Sequence, residues 1–188
     1  MLGTARSDLG ARIVATMLHV HSFAPIAAPG ARVLILGSMP GVASLRAQQY
    51  YAHPRNAFWP LMKALWGVPQ EADYAQRCDA LRARGVAVWD VLQACTRSGS
   101  LDSAIDARSV VANDVAGFLA EHPQVKVLGF NGATAARMFM RHVAPQCGPR
   151  LQDCRLLRLP SSSPAHAALA FDAKLAAWRA LADGGYAR

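Results

Sequence analysis

The sequence predicts an α/β protein with three α/β/α layers: a central parallel sheet of four strands, with helices on both faces. Two observations predict it. Four short apolar runs are spaced along the chain: RVLILG (32–37), GVAVWDVL (85–92), VKVLGF (125–130) and RLLRLP (155–160). The first and third show little of the polar alternation of a half-solvated strand, as expected for strands buried on both faces. Helical periodicity lies between the runs, and regular strand–helix alternation gives a doubly wound sheet. At 188 residues the chain is about one domain long and can bury a full core.

The helices follow in order. Phe58, Met62, Leu65 and Trp66 recur at three- and four-residue steps, which predicts an amphipathic helix over 57–66. A second is expected around 71–84. In 109–122, Val111, Val115, Phe118 and Leu119 share one face and Pro123 ends the helix. Segments 132–143 and 167–182 complete the set. With no internal repeat and no linker rich in Pro, Gly or Ser, residues 21–188 read as one domain and 1–20 as an N-terminal extension.

Composition narrows the function. Just over half the residues are hydrophobic and 17% are charged, with 20 basic residues against 12 acidic and a net charge of +8. All but three of the basic residues are arginine, the exceptions being Lys63, Lys126 and Lys174. Arginine grips phosphate with a two-pronged fork and stacks on planar groups, so the balance leans toward nucleic acid. A genome that favours Arg codons would produce the same bias. Cys78, Cys95, Cys147 and Cys154 have no metal-ligand spacing, which argues against a zinc or iron–sulfur site and for reduced thiols. Asp8, Arg12, His19 and His21 rule out a signal peptide or membrane span at the start, so a cytoplasmic location is expected.

In open α/β sheets the working site lies at the carboxyl ends of the strands. After the first strand comes Gly37-Ser38-Met39-Pro40-Gly41 and then a long loop, QQYYAHPRNAFW. DVLQACTRSGSLDSAI follows the second, Phe130-Asn131-Gly132 the third, and LPSSSPAHA the fourth. These clusters hold no GxGxxG, GxxxxGK[ST] or GxSxG motif and no Cys–His pair. Ser161, Ser162 and Ser163 have no evident base beside them, so as hydroxyls they cap the last helix rather than act as nucleophiles. The inventory of side-chain amides (Asn56, Asn131), a tyrosine ring (Tyr50 or Tyr51), hydroxyls and backbone N–H groups suits a flat, polar, uncharged heterocycle.

These segments resemble the uracil-DNA glycosylase superfamily, and within it the hypoxanthine-DNA (deoxyinosine) glycosylases. The matching pieces are HSFAPI (21–26), LILGSMPG (34–41), QYYAHPRNAFW (49–59), WDVLQACTRSGSLDSAI (89–105), FNG (130–132) and LPSSSP (159–164), in order along nearly the whole chain. The resemblance implies a glycosylase that flips a deaminated base, hypoxanthine and in some cases uracil, out of double-stranded DNA and hydrolyses its glycosidic bond. It implies a monomer that needs no metal or organic cofactor and no membrane. No lysine stands in these loops, so the reaction would leave an abasic site without a Schiff base.

The superfamily places a catalytic Asn or Asp where this chain has Met39. The resemblance therefore assigns the water-orienting amide to Asn56, which a residue reading alone would take as a helix cap. Gly37, Ser38 and Met39 would line the base pocket. Tyr51 would stack on the base or else pack on the loop, and Asn131 would read the base edge or cap the helix at 132. Arg55, Arg97, Ser161, Ser162, Ser163 and His166 would meet DNA. Where the family pattern has Asn, this chain has His166, which either fills the gap left by the base or caps a helix. Asp90 and Asp102 are expected to brace the loops. The competing reading is a nucleic-acid-binding domain of the same fold without catalysis, favoured by Met39, Ser161 and His166 and opposed by Asn56. A small-molecule α/β hydrolase ranks third.

Overall fold

A computed structural model describes residues 18–166 and 168–183. The chain runs through β1 (Leu18–His21), β2 (Val33–Gly37), α1 (Val42–Ala47), α2 (Phe58–Trp66), α3 (Tyr74–Ala83), β3 (Val86–Asp90) and β4 (Leu92–Arg97). It continues through β5 (Val111–Ala112), α4 (Val115–Glu121), β6 (Val127–Asn131), α5 (Ala133–His142), α6 (Ala144–Cys147), β7 (Arg155–Leu159) and α7 (Phe171–Trp178). The four apolar runs form one parallel sheet in the order β3-β2-β6-β7. The expected α/β/α architecture is therefore present.

Alternation within β2 builds both cores. Val33 and Ile35 face Phe58, Leu61 and Met62 of α2, Leu81 of α3 and Trp178 of α7. Leu34 and Leu36 face Phe118 and Leu119 of α4 and Phe139 of α5. A strand covered on both sides has no face for polar residues, which is why its sequence reads as a continuous apolar run. β7 departs from that expectation. It lies at the sheet edge with Arg155, Leu156 and Arg158 exposed and only Leu159 buried, and edge arginines discourage pairing with another chain.

Three further elements differ from the sequence reading. Residues 92–97 are a strand, β4, which pairs antiparallel with β1 and β5 in a second sheet. Only Val91 separates β4 from β3, and the side chain of Asn113 pins this change of sheet by donating to the carbonyls of Asp90 (2.9 Å) and Leu92 (3.1 Å). The helix expected over 109–122 starts at Val115, because Val111–Ala112 is spent on β5 and Asp114 caps the helix through Gly117 N–H at 2.8 Å. The long loop after β2 contains α1. Leu18–Val20, the last residues of the expected extension, lie in β1, and the rest of it lies outside the described residues. No described helix is long and apolar enough to cross a membrane.

Candidate active site

The carboxyl ends of β2, β3 and β6 and the loop after β7 open onto one cavity of about 360 Å³. Going outward from β2, chain order reverses between β2 and β6, and an open sheet leaves a crevice at such a point. The size lies within the roughly 300–1,000 Å³ usual for small-ligand sites.

Its floor is Gly37, Asp90 and Tyr51. A Cβ on Gly37 would collide with Asp90 Oδ1 and stand 3.1 Å from Tyr51 Oη, so glycine is what lets both groups reach the end of the strand. Gly37→Ala should lower stability by about 1–3 kcal/mol through overpacking and displace both side chains. Thermal unfolding reads the first effect, and an unchanged melting temperature would refute this account of the floor.

Asp90 is 3% exposed. Its Oδ2 accepts the Ser22 hydroxyl at 2.7 Å, while Oδ1 takes no hydrogen bond among the described residues. Burial, aided by the negative charge of Asp102 and opposed by Ser22 and Arg97, pushes this carboxyl up to about 7. Tyr51 adopts a left-handed backbone conformation (φ 56°), uncommon for an aromatic residue. Phe58 stacks on its ring at 3.9 Å and 18°, and Tyr51 lines the cavity. Burial together with the charge of Asp90, only partly offset by the neighbouring Asn131 side chain, drives the ionisation of its hydroxyl well above the ordinary phenol range.

The wall opposite is a set of loops tied to one another. His53 carbonyl accepts Asn56 N–H (2.8 Å), His53 Nδ1 accepts Arg55 N–H (3.1 Å) and Asn56 Oδ1 accepts Phe58 N–H (2.9 Å). Ala57 N–H donates to the carbonyl of Ser162 at 2.9 Å. Asn131 grips Ser162 in turn, accepting its N–H and donating to its Oγ, both at 2.8 Å. A chain of bonds from β6 through the loop after β7 thus sets the position of Asn56. On the other flank, Ser38 Oγ donates to Asp102 Oδ1 at 2.7 Å and Val42 N–H to Ser100 Oγ at 2.9 Å. The residues lining the cavity include two carboxylates and two histidines (His53, His166) but no Lys or Arg.

Residues 24–182 match the profile of the "Uracil DNA glycosylase superfamily". The chain belongs to that superfamily. It is 36% identical over 113 residues to a hypoxanthine DNA glycosylase of Methanosarcina barkeri, a stretch covering 60% of this chain and 70% of that one. With a second hypoxanthine DNA glycosylase, from Methanosarcina acetivorans, it shares 38% identity over 104 residues, 55% of this chain and 65% of the other. A solution structure from Methanosarcina acetivorans, provisionally named a uracil DNA glycosylase, superposes with a TM-score of 0.71 at 30% identity. That superposition covers 88% of this chain and 99% of the other.

Within this superfamily member the expected residues part into two groups. Asn56, Gly37, Ser38, Met39, Tyr51, Asn131, Ser161, Ser162, Ser163 and His166 all line the cavity. Their roles are another matter. Asn131 caps no helix; its amide is engaged at both ends by Ser162, which leaves it one N–H and one lone pair. Ser162 is 1% exposed and braces the loop through these bonds. Ser161 and Ser163 accept the N–H groups of Ser163 and Ala165, which caps the short turn at Pro164–His166 and not the last helix. Arg97 is a correction as well. It is 1% exposed in β4, donates through Nη2 to the carbonyl of Pro40, and holds the Gly37–Gly41 turn from inside, out of reach of a phosphate. Arg55 is exposed in the loop just before Asn56. Asp90 was the residue undervalued from sequence: no short-range signal places Ser22 against it or Tyr51 beside it.

Proposed function

We propose that the protein is a DNA glycosylase that takes a deaminated base, hypoxanthine foremost and uracil secondarily, out of duplex DNA and hydrolyses its N-glycosidic bond. The observation that carries this reading is the cavity lining: an amide fixed at Asn56, a tyrosine face and a buried carboxyl at Asp90, with no lysine or arginine. Such a site suits an uncharged planar ring and not a phosphate.

Deamination explains the carboxyl. Adenine N1 and cytosine N3 are bare acceptors, whereas the matching ring nitrogens of hypoxanthine and uracil carry a hydrogen. An ionised carboxylate only accepts, so Asp90 favours the deaminated ring and rejects its parent. Tyr51 contributes its ring, and stacking of this kind is worth about 1–3 kcal/mol per base. Asn56 Oδ1 has one lone pair left after the bond from Phe58 N–H. Accepting a hydrogen bond from a water through it turns the water's oxygen toward the anomeric carbon. The glycosidic bond breaks, the electron pair leaves with the base, and the water adds to the cationic sugar, its surplus proton passing through solvent to neutralise the departed base. The transition state is stabilised more than the bound substrate where its positive charge develops, on the sugar beside the fixed Asn56 and its water. The product is an intact strand with an abasic site.

End-labelled duplexes carrying one hypoxanthine or one uracil opposite each normal base test this reading. Abasic sites that become breaks only after alkali, formed fastest where the lesion pairs poorly, are the expected result, since extrusion costs least there. Duplex binding without abasic sites would instead establish a non-catalytic nucleic-acid-binding domain.

A further inference from the structure

Asp90 selects for a ring hydrogen, and among purines that selection is incomplete. It turns adenine away, but guanine, like hypoxanthine, carries a hydrogen on N1. The two differ at C2, where hypoxanthine has a C–H and guanine an amino group beside the N1 hydrogen. An ionised carboxylate with both oxygens facing the ring accepts the two guanine donors side by side, much as it accepts the fork of an arginine. Passing over guanine therefore takes a further device at the floor.

The surroundings of Asp90 provide it. Oδ1 stands beside Gly37 and Tyr51 at the cavity floor. Oδ2 accepts the Ser22 hydroxyl at 2.7 Å, the only hydrogen bond to this carboxylate among the described residues. Ser22 does not line the cavity, so it draws that oxygen back from the ring. The serine is itself fixed from both sides. Its N–H donates to the carbonyl of Gln93 in β4 at 2.8 Å. The carbonyl of the next residue, Phe23, accepts Tyr50 Oη at 3.2 Å and Trp89 Nε1–H at 3.0 Å. Trp89 directly precedes Asp90 in β3, which ties serine and aspartate to one strand.

We infer that Ser22 sets the purine selectivity of the site: by occupying Oδ2 it leaves the floor one free carboxylate oxygen, enough for hypoxanthine but not for guanine. The inference rests on the proposed function. Ser22 is a positioning residue and acts through Asp90. The single oxygen serves the one donor of hypoxanthine and leaves the guanine amino group unpaired. Beside a carboxylate only 3% exposed, such a hydrogen forfeits its bond to water and gains none in return.

The test is single-turnover base release by full-length wild type, Ser22→Ala and Ser22→Thr at pH 8, above the value of about 7 at which Asp90 ionises. The duplexes carry hypoxanthine or guanine opposite thymine, so that either base leaves a mispair. Ser22→Ala frees Oδ2 and lets the carboxylate turn both oxygens to the ring. The preference for hypoxanthine over guanine should fall by about tenfold or more, through a gain on guanine. Ser22→Thr keeps the hydroxyl and should keep the wild-type preference. A role confined to packing would lower both rates together and leave their ratio unchanged. Wild type alone supplies a second measurement, independent of how Ser22→Ala folds. A 2-methylhypoxanthine matches guanine in size at C2 but has no N–H there, so it should leave at least about tenfold faster than guanine. An unchanged ratio in Ser22→Ala, or an equal fall in Ser22→Thr, would overturn the inference. So would 2-methylhypoxanthine held back as firmly as guanine, since bulk alone would then exclude both. Failure of the glycosylase reading shows separately, as hypoxanthine duplexes from which wild type forms no abasic sites.

Discussion

Replacing Asn56 by serine is expected to reduce base release by about 10²–10³-fold, the range seen when one fixed polar group is withdrawn from a transition state. Stability and duplex binding should stay nearly the same. The choice of serine matters. Asn56 also accepts Phe58 N–H at 2.9 Å in the turn that leads into α2, and losing that bond outright costs about 1 kcal/mol. Alanine would therefore mix a folding defect with a catalytic one. Serine offers an acceptor to the same N–H but is shorter by the amide group, so it keeps the turn and loses the reach to a water. Asn56→Asp separates the roles further: it retains an acceptor for both Phe58 and the water, and its negative charge favours the cationic sugar, so it should keep more activity than serine. Single-turnover base release, paired with thermal unfolding, reads all three variants. Serine retaining full activity would remove Asn56 from the reaction and leave it as a support for the turn into α2.

The brace behind Asn56 shows how much of this site was legible beforehand. The sequence placed the right segments at one sheet edge, because strands buried on both faces announce themselves and their carboxyl ends are then fixed. It could not say which polar residues face the cavity and which hold the loops. Ser162 and Asn131 are both polar, both follow strands, and both line the cavity, yet each is mainly occupied with the other. Arg97 looked like a loop arginine because the alternation of LQACTR, which marks β4, follows β3 after a single residue with no turn signal between. Once β4 is a strand, Arg97 falls on its inward side and binds Pro40. The two-residue β5 was hidden for a similar reason: Val111–Ala112 carry the same apolar residues that would extend a helix, and only Asn113-Asp114 marks the break. Propensity and periodicity are local, whereas the second sheet is made by pairing residues 75 to 79 positions apart at Leu18–Val20.

Asp90 is the extreme case, since its behaviour depends on Ser22, 68 residues away, and on depth. Asp90→Asn is expected to make the protein more stable at pH 8, by as much as about 4 kcal/mol, with the gain shrinking as the pH falls toward 4. The sign follows from the proton count. In the folded protein the carboxyl ionises near 7; unfolded, it returns to the model-peptide value of 3.8. Between these values the folded chain holds a proton that the unfolded chain has released, so wild-type stability falls as the pH rises from 4 to 7 and levels off above. Asparagine is neutral throughout and removes that slope. The groups around Asp90 (Asp102, Arg97, Tyr50 and Tyr51) remain in both proteins, so the difference between the two pH curves isolates the carboxyl. The same titration should govern the reaction. Above pH 7 the carboxylate accepts a lactam N–H and excludes adenine, but it also opposes the negative charge that gathers on the departing base. Below pH 7 the neutral acid relieves that repulsion and can donate to adenine N1. Wild type should therefore turn over hypoxanthine faster, and discriminate less against adenine, as the pH falls through 7, while Asp90→Asn shows neither inflection. A variant with the wild-type profile in both stability and selectivity would mean that Asp90 stays in one protonation state and that the discrimination lies elsewhere in the cavity.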